Sequence, residues 1–162
     1  MAAGHEQHHR SSRASTQSHY VRLLAMTALS FLSMYTLMYA MVDSRSEIYN
    51  NFNQVYMAGL MTAPMVAIEL ALMSGMYHNK KVNVIVMAAS VAAGIAFFTL
   101  IRQQTLISDA QFLRSMIPHH SGAILMCQSA RVQDQRIQEL CKQIIASQRA
   151  EIDQMRRLLQ EF

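Results

Sequence analysis

The stretch SMIPHHSGAILMC, residues 115–127, holds the side chains best suited to chemistry. Two adjacent histidines, His119 and His120, follow Pro118 directly. Met116 lies three residues before His119, and Met126 and Cys127 lie six and seven residues after His120. Imidazole, thioether and thiol together are the donor set of soft metal ions, Cu(I) above all. A proline inside a helix removes an N–H bond, here to the Arg114 carbonyl, and bends the helix at a cost of about 3 kcal/mol. Placed just before the two histidines, the bend would splay the helix and aim both imidazoles. A kinked packing helix is the other explanation of the same residues.

Composition supplies donors but does not choose between these. The 162 residues include 14 Met, seven His and two Cys. Methionine is also a pliable apolar filler. Hydrophobic residues make up 52% of the chain and charged residues 15%, against about 25% charged in a soluble domain. The absence of Trp, with two Pro and five Gly, favours helices over turn-rich β architecture. The net charge of +4 is spread along the chain, with no basic run interleaved with aromatics, which excludes nucleic acid as a partner. Cys127 and Cys141 are too few for a disulfide framework. One bridge, a ligand pair and two buried thiols all remain open for them.

No nucleophile–base pair, P-loop or dinucleotide fingerprint occurs, and the chain is read as a non-enzyme. A di-iron oxidase would need inward glutamates and Glu-x-x-His motifs. Glu139, Glu151 and Glu161 have no His three residues on.

Residues 1–19 are polar, carry His5, His8, His9 and His19, and read as a disordered tail. Three apolar runs follow over 21–42, 54–77 and 82–101. Each approaches the roughly 20 residues that cross a bilayer core as a helix. The first has no charge after Arg22, the second only Glu69, and the third none. Tyr20, Tyr39, Tyr56 and Tyr77 stand near run ends, where amphipathic rings favour the headgroup region. Three transmembrane helices and a lipid partner are therefore predicted, the first run being an uncleaved anchor. Arg10, Arg13 and Arg22 precede the first run, and Lys80 and Lys81 fill the loop between the second and third. The positive flanks place the tail and the 78–81 loop in the cytoplasm, with Arg102 the one residue against it. The C-terminal segment then lies across the membrane, in the periplasm if the membrane is a bacterial inner membrane.

From residue 108 charges return, seven basic and six acidic, and the apolar period becomes helical. Ser108 with Gln111 reads as a capping box, so one helix should start near Asp109 and run to about Arg131. Asp134 is an N-cap for a second, ending near Gln160. The short connector forces an antiparallel hairpin. The first helix has a stripe of Phe112, Leu113, Met116, His120, Ala123 and Cys127, flanked by His119 and Met126; Arg114, Ser121 and Gln128 fall outside it. The second has Ile137, Leu140, Cys141, Ile144, Ile145, Gln148, Ile152, Met155, Leu158 and Leu159 on one face, with Glu151 at its edge. A turn near 132–134 puts Cys127 opposite Cys141, His120 opposite Gln148, Met116 opposite Ile152 and Glu151, and Leu113 opposite Met155. A buried imidazole or amide costs on the order of a few kcal/mol if unpaired, so these groups need partners, from each other or from a metal.

DAQFLRSMIPHHSGAILMC followed by LCKQIIASQRAEIDQMRRLL resembles the bacterial family called domain of unknown function 305. The matching residues are Asp109, Phe112, Met116, Pro118, His119, His120, Gly122, Ala123, Met126, Ile144, Ile145, Gln148, Glu151, Ile152 and Met155, within about 109–159. The resemblance implies a ferritin-like helical fold and copper binding through Met and His in a periplasmic domain. It also matches membrane-anchored members with three spans ahead of that domain. Cys127 and Cys141 depart from the family, which more often has Ala there. The expected fold is thus all-α: three transmembrane helices, then a two-helix antiparallel hairpin that is half of a ferritin-like four-helix bundle. A second copy would complete the bundle. On this resemblance the expected function is sequestration or hand-over of Cu(I), with Ag(I) and Cu(II) as alternatives. The expected ligands are Met116, His119, His120, Met126 and Met155, with Cys127 and Cys141 as added thiol donors. Gln148 and Glu151 would orient an imidazole N–H. The alternative is a metal-independent membrane scaffold whose hairpin binds itself or a partner, with His120–Gln148 as a buried pair setting register.

In the second apolar run, Met57, Met61, Met65, Glu69 and Met73 recur at four-residue steps and form one broad stripe, which Thr62 joins. A carboxyl in a membrane span usually faces the bundle interior or a wet cavity. The stripe is either a thioether-lined path for Cu(I), anchored by Glu69, or soft helix packing, and packing is the favoured reading.

Overall fold

The structure, a computed structural model, describes residues 3–162, with side chains from residue 19 onward. The described residues form five α-helices and no strand: α1 Ala3–Leu37, α2 Phe52–Leu72, α3 Lys80–Gln103, α4 Asp109–Ser129 and α5 Gln135–Leu159. Two short 3-10 turns, Met38–Met41 and Arg45–Glu47, lie between α1 and α2. Helix α1 takes in most of the stretch expected as a polar tail. The side chains of that stretch, His5, His8 and His9 among them, lie outside the described residues.

Helix starts are set by side-chain oxygens that accept the orphan N–H groups of a first turn. Asn51 Oδ1 accepts from Gln54 N at 2.9 Å and Asn79 Oδ1 from Val82 N at 3.2 Å. Ser108 Oγ accepts from Gln111 N at 3.4 Å, and Asp134 Oδ1 from Arg136 N at 2.8 Å. The Ser108 cap is only half of the expected box. The Gln111 amide oxygen instead accepts from Phe52 N at 3.0 Å.

The chain divides into two compact units. The first comprises residues up to Met34 and Tyr56–Arg102. It holds the greater part of three apolar helices: His19–Met41, Phe52–Leu72 and Lys80–Gln103 are long and apolar enough to cross a membrane. The second run was expected to reach residue 77 as helix, but α2 ends at Leu72. A turn follows, closed by Met76 N to Met73 O at 2.9 Å and Tyr77 N to Ser74 O at 3.3 Å. Helix α2 is the central element. Its face of Ala58, Gly59, Thr62, Ala63, Val66 and Leu70 is buried. A Cβ on Gly59 would stand 2.5 Å from the Phe97 ring, so the absent side chain is what lets α3 approach. Leu23, Val66, Leu70 and Tyr77 form the core cluster of this unit.

The second unit comprises Tyr35–Val55 and Gln103–Phe162. Helices α4 and α5 pack along each other, and the 3-10 turns pack on α4. Leu113, Ile117, Ile124, Ile152 and Met155 form its core. The expected α4 stripe needs correcting here. Ile117, Ile124, Ser121 and Gly122 are buried, while Phe112 is 50% exposed. The reason is a second cover. Asp43 N donates to Ser121 Oγ at 2.8 Å, and a Cβ on Gly122 would lie 3.3 Å from the Met41 carbonyl oxygen. Segment 35–55 thus closes the side of α4 that α5 leaves open. Arg156 on α5 adds an ion pair to Glu47 at 3.3 Å.

Gly122→Val forces branched carbons against the Met41 carbonyl. Overpacking of this kind costs about 1–3 kcal/mol, so the thermal midpoint of the full chain in detergent should fall; an unchanged midpoint would mean that segment 35–55 does not close on α4.

Candidate functional site

Helix α4 runs without interruption through Pro118, which is buried, and the two histidines after it point to different surroundings. His119 is exposed and His120 is buried; the rings sit 6.0 Å apart, edge to face. His120 Nδ1 lies 2.9 Å from the Met116 carbonyl oxygen, and Nε2 lies 2.7 Å from Glu151 Oε2. The His120 side chain is 10% exposed and that of Glu151 49%. The expected partner Gln148 is half-buried and makes no hydrogen bond to this ring. The true partner is one turn further along α5. The expected pairing is corrected by one turn, from Gln148 to Glu151.

Both neighbours of the His120 ring accept hydrogen bonds. A carbonyl oxygen has no proton to give, so Nδ1 must carry one. Nε2 then either carries a second proton or shares one with the Glu151 carboxyl. In neither case does His120 present a free lone pair. It ties Met116 on α4 to Glu151 on α5.

Seven residues nearer the hairpin turn, Cys127 meets Cys141 as expected. Both thiols are free and half-buried. The hydrogen bond with Cys141, then burial, then the charge Cys141 would carry push the Cys127 thiol up from its ordinary range. Helical rise puts about 10 Å between the His120 and Cys127 levels, so the seven candidate ligands cannot hold one ion together. Met116, His119 and His120 share the first level; Met126, Cys127 and Cys141 share the second. Met155 is buried in the core and Met116 packs against it, while Met126 is exposed. Among the described residues no three His, Cys, Asp or Glu side chains gather as a metal-holding group. Any ion held here must therefore draw on thioethers or on the thiol pair, which selects for softness.

The methionine series of α2 separates as well. Met57 and Met61 are exposed, off the buried face. Thr62 is buried on that face and bonds back to the Ala58 carbonyl at 2.8 Å. Glu69 and Met73 line a cavity together with His19, Met26 and Met76. The four-residue series gave no signal for those last three, because they come from another helix and from the turn after α2.

The family described as domain of unknown function (DUF305) matches residues 53–159. The chain belongs to this family. The match begins well ahead of the histidine-bearing hairpin and takes in α2 and α3. An uncharacterized protein, L153, of Acanthamoeba polyphaga mimivirus is 34% identical over 142 residues, covering 86% of this chain and 91% of its own length. No solved structure matches the chain significantly.

Glu151→Ala leaves the His120 ring buried beside one partner, at a cost on the order of 1–3 kcal/mol. Chemical denaturation of the full chain should show that loss, with Glu151→Gln recovering most of it. Cys141→Ala removes the hydrogen bond that raises the Cys127 thiol. Alkylation of Cys127 at pH 8 should then speed up and its pH–rate midpoint move down; an unmoved midpoint would separate the two thiols.

Proposed function

We propose that this member of the family is a membrane-anchored protein that binds Cu(I) at its helical hairpin and serves sequestration or hand-over rather than turnover. The observation that carries this is the contact between the free Cys127 and Cys141 thiols, one from each helix. Two adjacent sulfur donors suit a soft d10 ion, and Met126 adds a thioether at the same level. Met116 and His119 offer a second level, which His120 joins when Glu151 releases Nε2. Glu151 and Gln148 are then the groups left to orient the imidazoles. Met155 would take part only by leaving the core.

Because the Cys127 thiol titrates above its ordinary range, it is protonated at neutral pH. Each thiol that coordinates must lose a proton, so affinity rises roughly tenfold per pH unit per thiol until the thiolate forms.

The three apolar helices cross the bilayer in this reading. The basic residues Arg22, Lys80 and Lys81 lie on the cytoplasmic side and the hairpin lies across the membrane, in the periplasm of a Gram-negative cell. Phe112, Ile137 and Leu140 stay exposed on the hairpin. A second copy covering them would complete a ferritin-like four-helix bundle.

A second reading, a metal-independent scaffold, draws on the His120 ring, whose nitrogens are both engaged by the protein itself. A competitive Cu(I) titration under reducing conditions separates the two. Wild type is compared with Cys127→Ser/Cys141→Ser and with His119→Ala/His120→Ala. Copper binding predicts a loss of more than about 100-fold in the cysteine variant, beyond the effect of a group that merely orients a ligand, a smaller loss in the histidine variant, and tighter wild-type binding as pH rises. Equal affinity in all three returns the hairpin to scaffolding.

A further inference from the structure

The first unit contains a cavity of about 230 Å³ lined by His19, Met26, Glu69, Met73, Met76 and Tyr77, with Leu23 and Arg22 completing the wall. Local geometry explains how these residues meet. Glu69 and Met73 are one turn apart, joined by Met73 N to Glu69 O at 2.9 Å. The tight turn over 73–77 then brings Met76 and Tyr77 back to the same space. His19, Arg22 and Met26 recur on one face of α1, and the His19 ring rests edge-on against Tyr77 at 6.4 Å.

From this we infer a second soft-ion site, separate from the hairpin, in which Met26, Met73, Met76 and His19 bind a monovalent d10 cation and the Glu69 carboxylate attracts it against the repulsion of Arg22. Three observations carry it. The methionines line an open recess many times the roughly 30 Å³ share of one water, with Met73 38% and Met76 39% exposed and so accessible to an ion. Glu69 is the one charged residue of α2, and its carboxylate makes no hydrogen bond or ion pair among the described residues. A carboxylate in so apolar a helix is costly without a cation. The donor set is three thioethers, one imidazole and one carboxylate, which suits Cu(I) or Ag(I) and gives Zn(II) only two of the three or four ligands it takes.

Charge points the same way. Arg22 and Glu69 together are neutral, so a monovalent ion leaves one net positive charge at the edge of an apolar region and a divalent ion leaves two. Tyr77 is buried and closes the wall beside the His19 ring.

The inference does not rest on copper binding at the hairpin, and one experiment keeps them apart. Full-length protein with ¹³C-methyl methionine is titrated with Ag(I) in detergent micelles, with the methyl signals assigned by single Met→Leu variants. The expected result is a saturable shift of the Met26, Met73 and Met76 methyls that persists in Cys127→Ser/Cys141→Ser. Glu69→Gln should weaken it roughly tenfold or more, as the loss of a nearby, partly screened charge would. In Met73→Leu/Met76→Leu, a volume-conserving change, the Met26 shift should collapse while the helical circular dichroism stays. The inference fails if these methyls do not move while those of Met116, Met126 or Met155 do. It fails equally if Zn(II) moves them as Ag(I) does, or if Glu69→Gln leaves the affinity unchanged.

Discussion

A buried imidazole held between two acceptors fixes how α4 lies against α5. The His120 ring reaches the Met116 carbonyl within its own helix and the Glu151 carboxylate on the other. Sliding α5 by one turn would break the second bond and leave a buried polar nitrogen unpaired. The apolar contacts of Leu113, Ile117, Ile124, Ile152 and Met155 are less particular, since such side chains tolerate several registers. With His120 and Glu151 matched, Cys127 comes to Cys141 without any further device. The thiol pair and the histidine's hydrogen bonds thus agree on one alignment of the two helices.

That constraint also divides the labour of the adjacent histidines. A ring that spends both nitrogens on the protein is a structural tie, and an exposed ring beside it is free to meet a ligand. The thioethers divide likewise. Met155 contributes volume to the core, Met126 faces outward, and Met73 lines a void. Fourteen methionines in one chain are therefore not one population.

Much of this was legible in the residues. Ser108 and Asp134 mark helix starts because a short side-chain oxygen is the cheapest partner for an orphan N–H. The Cys127–Cys141 meeting follows from connector length, since near a tight turn the pairing has little room to drift. Further from the turn the same reasoning slipped, giving Gln148 in place of Glu151. The burial of Ser121 and Gly122 was not legible. A helical wheel asks which face of α4 is apolar, and these residues are covered by a backbone N–H and a carbonyl from a segment far back in the chain. Small polar residues accept such cover without any apolar signature. The cavity beside Glu69 was half legible: its carboxylate stood out in an apolar run, but its neighbours on α1 have no periodic relation to it.

The closure of Asp43 onto Ser121 spans 78 positions, and this bears on how the protein is made. The fold unit to which both belong is interrupted in the chain by residues 56–102. At synthesis rates of about 5–20 residues per second, the ribosome adds Ser121 roughly 4–16 s after Asp43. For that interval segment 35–55 has nothing to cover. A fragment that starts at residue 108 would inherit the hairpin but not its lid. The natural piece of this protein for biochemistry is the whole chain, because the order of residues along it is not the order of assembly.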